Sequence, residues 1–524
     1  MASTFHVEHF GCRAARADGE ALSDRLRAAG HCAQQSSEAD VVIVNTCSVT
    51  AEADRAARAF IRRAHRLNPA ARIVVTGCYA QRAPEELAGM AGVAAVVGNS
   101  HKGLAREIVL GLAGGRAYVG HEISARPTSG AKAPDTLVRI DVRAEALTYW
   151  STIGSKGTAS DGTASGGAAF GGSGSGRAPI WADDRFAHSF LEEAQVVPGA
   201  QTRPNLKIQE GCGNRCTFCV IPQTRGPSRS LSAASILRQV EGFVAAGGKE
   251  LVFSGINLGR WGKDPSAIEE TGSHGPKPRT LARLILRIFS QTELPRLRLS
   301  SIEPMDWDAE LIGLMAEFGG SRLARHAHLP LQSGSDAVLR RMHRRYRPWH
   351  YAEKVEALLR AAGPDLTLGA DVMVGFPGET DREFEETVAT IRALPFGYLH
   401  LFPFSPRPGT PGWAMHDEHP VAAGAVEVRM AALRALAAEK SRAHRMRFVG
   451  RELEAITLHT PTEMEARGRT AALTENFLPL EMEGRLGANL LVRARVTGLN
   501  AEGLLEATLE TAERDQYCAT AMSV

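Results

Sequence analysis

Apolar residues fall along the chain in two rhythms. From His6 to Asn99, short unbroken runs (Asp40-Val-Val-Ile-Val-Asn45 and Arg72-Ile-Val-Val-Thr76) flank a stretch from Ala51 to Leu67 whose apolar positions recur at helical spacing. Continuous runs suit strands buried on both faces. Their alternation with helices predicts a small doubly wound α/β domain, with ligand groups gathered at the carboxyl ends of the strands. From about Ile123 to Pro204 the pattern dissolves, and Gly154 to Gly176 is almost wholly Gly, Ser, Ala and Thr, which reads as a flexible insertion. Alternation resumes at Leu206-Lys-Ile208, Glu250 to Ser254, Arg296 to Ser300, His326 to Leu329, Leu366 to Val374 and Tyr398 to Leu401. These βα repeats predict a parallel barrel, complete or partial, with its active site at the carboxyl ends of the strands. Val421 to Arg447 reads as one long charged helix, and the alternation in Leu490-Leu-Val-Arg-Ala-Arg-Val496 predicts a small all-β module. The expected divisions are residues 1–122, a linker at 123–203, 204–447 and 448–524.

Composition narrows this only slightly. A chain of 524 residues exceeds one ordinary core, and 44% hydrophobic with 23% charged residues is a globular balance. A net charge of +3 does not announce a polyanion-binding protein, so nucleic-acid contact would need a local basic patch. The absence of a long apolar run and of a signal-peptide pattern at Met1 to Phe10 leads to the expectation of a cytoplasmic protein without a membrane partner. Eight cysteines are too sparse for a disulfide scaffold and would be thiols available to metal.

Their placement carries the chemistry. Gly211-Cys212-Gly-Asn-Arg-Cys216-Thr-Phe-Cys219 puts three thiols in one short loop after the first barrel strand. Such a loop can wrap three corners of a 4Fe-4S cube and leave the fourth iron open to substrate. A structural zinc site wants four ligands, and no fourth Cys or His lies nearby. Gly11-Cys12, Asn45-Thr46-Cys47 and Gly77-Cys78 stand at the ends of successive amino-terminal strands, where an open α/β sheet brings loops to one edge. Gly11 and Gly77 remove side chains where backbone approaches a bulky group. Taken singly, each cysteine reads as a small buried hydrophobe; together they favour a second cluster. Cys32 and Cys518 have no such partners and take the buried-hydrophobe reading.

The motifs Val44-Asn-Thr-Cys-Ser-Val-Thr50, Val75-Thr-Gly-Cys-Tyr-Ala80 and Lys207-Ile-Gln-Glu-Gly-Cys212, with both cysteine sets in one chain, resemble the radical S-adenosylmethionine (SAM) methylthiotransferases. The resemblance implies an amino-terminal methylthiotransferase domain, a radical SAM partial (β/α)6 barrel and a carboxyl-terminal TRAM-like domain. It implies SAM and two 4Fe-4S clusters as cofactors. Cys212, Cys216 and Cys219 would hold the catalytic cluster that cleaves SAM to a 5′-deoxyadenosyl radical, and Cys12, Cys47 and Cys78 an auxiliary one that supplies or carries sulfur. Three branches differ in substrate: isopentenyladenosine in tRNA, threonylcarbamoyladenosine in tRNA, and an aspartate of a ribosomal protein. Asn45 to Arg55, Ile61-Arg-Arg63 and Arg225-Gly-Pro-Ser-Arg-Ser230 are similar to the threonylcarbamoyladenosine branch, while Arg13-Ala-Ala-Arg16 departs from it. The implied partners are the tRNA anticodon loop, a flavodoxin- or ferredoxin-like one-electron reductant and a sulfur donor. A non-catalytic iron-sulfur redox module is the alternative of a different class.

By the same resemblance, Ser254, Gly255 and Asn257 after the second barrel strand, Ser301 and Glu303 after the third, Gln332 after the fourth and Asp371 in the fifth belong to the SAM and substrate pocket. Without the cluster loop, the same turns would read as ordinary loop chemistry. The run Arg340, Arg341, Arg344, Arg345 and Arg347, interleaved with Tyr346 and close to Trp349, suits backbone phosphates and a stacked anticodon base, or else a solvated helix face. From Arg451 onward acidic residues outnumber basic ones, so RNA contact by the last module would fall to a few residues such as Arg493 and Arg495.

Overall fold

The computed structural model describes residues 3–113, 177–184, 186, 196, 198, 202–264 and 280–509; Cys518 and the Gly154 to Gly176 insertion lie outside the described residues. The chain divides into two compact units. One comprises Met1–Glu8, Arg25–Thr46 and Ala56–Ser189, the other His9–Asp24, Cys47–Arg55 and Phe190–Val524.

In the first unit, β1 (Thr4–His9), β2 (Cys32–Ala33), β3 (Val41–Thr46), β4 (Arg72–Gly77), β5 (Val93–Gly98) and β6 (Ile180–Trp181) form one sheet in the order β2-β1-β3-β4-β5-β6. Val41 to Val44 and Ile73 to Val75 are wholly buried, as unbroken apolar runs require when helices cover both faces. β3 and β4 run parallel and end level, with Thr46 opposite Gly77. Ile180 and Trp181 pair in parallel with Val96 and Val97, so a strand stands inside the stretch expected to be linker. Two residues carry no readable period, which is why the sequence hid it.

In the second unit, β7 (Asn205–Glu210), β8 (Arg229–Ser230), β9 (Glu250–Gly255) and β10 (Arg296–Leu299) form a sheet in the order β10-β9-β7-β8. β11 (His326–His328), β12 (Thr367–Val374) and β13 (Phe396–Pro403) form a second. All pairs are parallel except β7 with β8, and the six expected barrel strands are all present. One continuous core of Ile, Leu, Val, Phe and Trp side chains, including Phe253, Trp307 and Phe376, lies between these strands and their helices. The long helix is found at Ala423–Met446. Beyond it β14 (Glu452–Thr457), β15 (Arg469–Thr474), β16 (Pro479–Glu483), β17 (Leu491–Leu499) and β18 (Leu505–Leu509) close into a small barrel. In β17, Val492, Ala494 and Val496 face its core while Arg493 and Arg495 are exposed.

Two short amino-terminal segments belong to this second unit, and charge holds them there. Asp18 pairs with Lys207 and, at 3.0 Å, with Arg225. Asp54 accepts from Arg407 at 2.6 Å, and Ala51 N donates to Ser405 Oγ at 3.1 Å. These segments carry Cys12 and Cys47.

Candidate active site

The loop after β7 is fixed from three sides. Gly211 has φ +71°, and a Cβ there would lie 1.9 Å from Pro227 O, so only glycine lets the chain turn here. Cys212 N donates to Gly226 O at 3.1 Å, Thr217 N to Met342 O at 3.2 Å, and Gly412 N to Thr217 O at 2.8 Å. Beneath it, buried Glu210 binds Arg225 at 2.6 Å and Lys207 at 2.5 Å. Cys212, Cys216 and Cys219 are all partly exposed on this loop. Asn257 Nδ2 approaches Cys212 Sγ at 3.6 Å, and Arg344 Nη1 donates to Cys216 Sγ at 3.2 Å. Burial pushes the Cys212 thiol up, and the Cys219 thiol up to about 12. Thiolates at such positions need a strong local cation, which a metal cluster supplies and one arginine does not.

Cys219 also lines a cavity of about 400 Å³, a size that accommodates a nucleoside-like ligand. Its wall includes Asn257, Ser301, Glu303, Gln332 and Asp371, together with Phe218, Phe402 and Phe404. Thr50, from the segment that carries Cys47, lines it too. Ser254 is buried short of the cavity, and Gly255 packs against Gln209, where a Cβ would meet that side chain at 3.0 Å. Two of the expected residues therefore shape the wall from behind. Asn257 Oδ1 and Gln332 Oε1 are buried acceptors that find no donor among the described residues, the condition expected of a wall that binds a ligand. Gln332 sits at φ +65°, held by Gln332 N to Asp371 O at 2.8 Å and Met373 N to Gln332 O at 2.9 Å. Strain of this kind in a non-glycine residue collects at functional positions. Three thiols on one loop, with no fourth cysteine on that loop and next to a cavity with unsatisfied acceptors, fit an open-iron cluster and its SAM.

Residues 4–98 match the family described as "Uncharacterized protein family UPF0004", and residues 206–391 match the Radical SAM superfamily. The chain is 32% identical to "Threonylcarbamoyladenosine tRNA methylthiotransferase MtaB" of Bacillus subtilis over 92% of its own length and 90% of that protein's. It is 30% identical to "tRNA-2-methylthio-N(6)-dimethylallyladenosine synthase" of Cereibacter sphaeroides over 94% and 95%. A solved radical SAM methyltransferase, TsrM from Kitasatospora setae, superposes with a TM-score of 0.48 at 15% identity, covering 79% of this chain and 77% of that one. The chain belongs to the radical SAM tRNA methylthiotransferases.

A methylthiotransferase of this family is an enzyme, not an electron carrier, and its cofactors are SAM and two 4Fe-4S clusters. Among the remaining cysteines, Cys12 and Cys47 meet in the second unit. The Cys47 thiol hydrogen-bonds the Cys12 sulfur and, against the opposing effect of burial and with help from Arg225, holds Cys12 down to about 6. A Cβ on Gly11 would lie 2.1 Å from Cys47 Cβ. In the first unit, Cys78 opens a short helix directly after β4, is buried, and accepts from Asn99 Nδ2 at 3.4 Å. Gly77 has φ +98°, and a Cβ there would strike Thr46 O at 2.3 Å. Cys32 is exposed on β2, so the buried-hydrophobe reading does not hold for it. An edge strand of two residues leaves its side chain uncovered.

The basic run separates into two groups. Arg344 turns inward and lies fully buried, with Nη2 on Glu303 at 2.5 Å and Nη1 on Cys216, so it offers nothing to a phosphate. Tyr346 is also buried, its hydroxyl donating to Pro330 O or Leu331 O, and cannot stack on a base; the exposed ring is Trp349. Arg341 forms a two-pronged pair with Glu383, and Arg347 pairs with Asp336. Arg340 and Arg345 remain 61% and 42% exposed while touching Asp336 and Asp306. Helical spacing gave no warning that the third arginine would face the cluster loop. The sequence also passed over His328 and His400, which flank Asp371.

Proposed function

We propose that this methylthiotransferase converts N6-threonylcarbamoyladenosine beside the anticodon to its 2-methylthio derivative. In this reading Cys212, Cys216 and Cys219 hold the SAM-cleaving cluster, and Cys12, Cys47 and Cys78 the sulfur-carrying one. The observation that carries the substrate choice is similarity along nearly the whole chain: the Bacillus subtilis relative named for threonylcarbamoyladenosine is 32% identical over 92% of this chain. The stretches Asn45 to Arg55 and Arg225 to Ser230 agree with that choice.

When bound, the cluster and SAM supply one-electron cleavage of a sulfonium carbon–sulfur bond. The chain's own residues prepare the setting. The backbone ties at Gly226, Met342 and Gly412 fix where the three thiols stand. Arg344 places a buried positive charge on Cys216 and orients Glu303 toward the cavity wall. Phe218, Phe402 and Phe404 add apolar surface to the cavity lining. Support for the second site comes from connectivity: Cys47 directly follows Thr46, Cys78 directly follows Gly77, and those two residues are strand partners. The reductant, the sulfur donor and RNA contact by the small barrel at 448–524 belong to the same proposal.

The test is nucleoside mass spectrometry of tRNA from a strain lacking this gene, with and without the chain restored. The expected gain is 2-methylthio-N6-threonylcarbamoyladenosine. A gain on dimethylallyladenosine instead would reject the substrate and leave the family assignment intact.

A further inference from the structure

Behind the cavity wall, His328 and His400 close on Asp371 from two sides. His328 Nε2 lies 3.2 Å from Asp371 Oδ2, and His400 Nδ1 lies 3.3 Å from Asp371 Oδ1. One ligand atom from each residue can be chosen so that all three fall within 4.8 Å of one another. Two ligands on one transition-metal ion, each about 2.0–2.2 Å from it, stand roughly 3 to 3.5 Å apart at tetrahedral or cis octahedral angles. The two imidazole–carboxylate separations have that size, and the three ligand atoms together stay within 4.8 Å. We propose that His328, Asp371 and His400 form a binding site for a divalent transition-metal ion of the zinc class, separate from both clusters.

The donor set is two imidazoles and one carboxylate, the composition of many three-ligand sites that keep a position open. The surroundings supply the orienting shell such sites need. Tyr398 Oη lies 3.0 Å from His328 Nδ1 and 2.7 Å from His326 Nε2. With a metal on His328 Nε2, the hydrogen bonds run in one direction: His328 Nδ1–H donates to Tyr398 Oη, and the Tyr398 hydroxyl donates to His326 Nε2. The tautomer and ring angle of His328 are then fixed by a partner outside the coordination sphere. His328 is nearly buried and Asp371 lines the cavity, while the His400 side chain is 62% exposed, giving an ion a path from solvent. Three protein ligands leave room for water or for an oxygen of a ligand in the cavity. The site depends on no choice between substrates.

Anaerobically reconstituted full-length enzyme, treated with chelator and gel-filtered, would be titrated with zinc by calorimetry, with zinc and iron counted on the same samples. The expected result is one zinc per chain in addition to unchanged iron. Affinity should fall by about tenfold or more in His400→Ala and in Asp371→Asn, and by about tenfold in Tyr398→Phe. His400 is exposed, so its variant tests the site without burying a defect; iron content and circular dichroism equal to the parent would confirm that. Absence of zinc uptake, uptake unchanged in both ligand variants, or uptake only with matching loss of iron would each overturn the proposal. The last would mean capture by the cluster cysteines.

Discussion

Cys212, Cys216 and Cys219 leave one loop, and that loop is tied by backbone hydrogen bonds to Gly226, Met342 and Gly412. Cys12 and Cys47 come from segments separated by the last turn of the Arg13–Ala28 helix and the strands β2 and β3, and within the second unit each segment is held by a side-chain carboxylate, Asp18 with Arg225 and Lys207, Asp54 with Arg407. The electrostatics differ as well: burial raises Cys212 and Cys219, whereas Cys47 and Arg225 hold Cys12 low. A loop pinned by main-chain groups tolerates the loss of any one distant side chain. A segment whose ties centre on one buried carboxylate does not, because removing that carboxylate strands its cationic partner.

The largest expected effect separates the two regions outright. Cys216→Ala should abolish SAM cleavage, read as 5′-deoxyadenosine by chromatography, while Cys47→Ala should spare cleavage and stop sulfur insertion into tRNA. A Cys47→Ala enzyme that still thiolates tRNA would erase the distinction. Next in size, Asp54→Ala leaves the Arg407 guanidinium buried without its carboxylate and should cost about 3–5 kcal/mol in urea unfolding. Iron per chain should drop toward about four with SAM cleavage retained. Equal loss from both clusters would show that the ion pair serves the whole unit and not the Cys47 segment. The smallest effect belongs to Arg340→Ala, whose exposed pair with Asp336 should be worth no more than about 0.5 kcal/mol by thermal unfolding. Its affinity for tRNA should nonetheless weaken, with a shallower salt dependence. An unchanged salt slope would remove Arg340 from the RNA surface.

Much of the architecture was legible because burial on two faces leaves unbroken apolar runs, as at Val41 to Val44, and because strand followed by helix repeats on a regular spacing. The Cys212 loop was legible for a different reason: its three thiols are neighbours in the chain. What escaped depends on contacts between residues far apart. Arg344 reads as one more cation in a basic run until Cys216 and Glu303 are seen beside it. His328, Asp371 and His400 come from three neighbouring strands, β11, β12 and β13, and share no local spacing. Asp18 and Asp54 look like solvated helix residues, yet each answers a cation in the second unit. The Ile180–Trp181 strand is too short to announce itself.

Gly11 stands with its missing Cβ aimed at Cys47. Every codon reachable from glycine by a single base change to another residue encodes a side chain, and each would press on the same sulfur-bearing carbon while also meeting a backbone angle that L-residues rarely adopt. On the role proposed for Cys47, one nucleotide change in this gene would silence sulfur insertion without touching a cysteine, and loss-of-function alleles should accumulate at that codon.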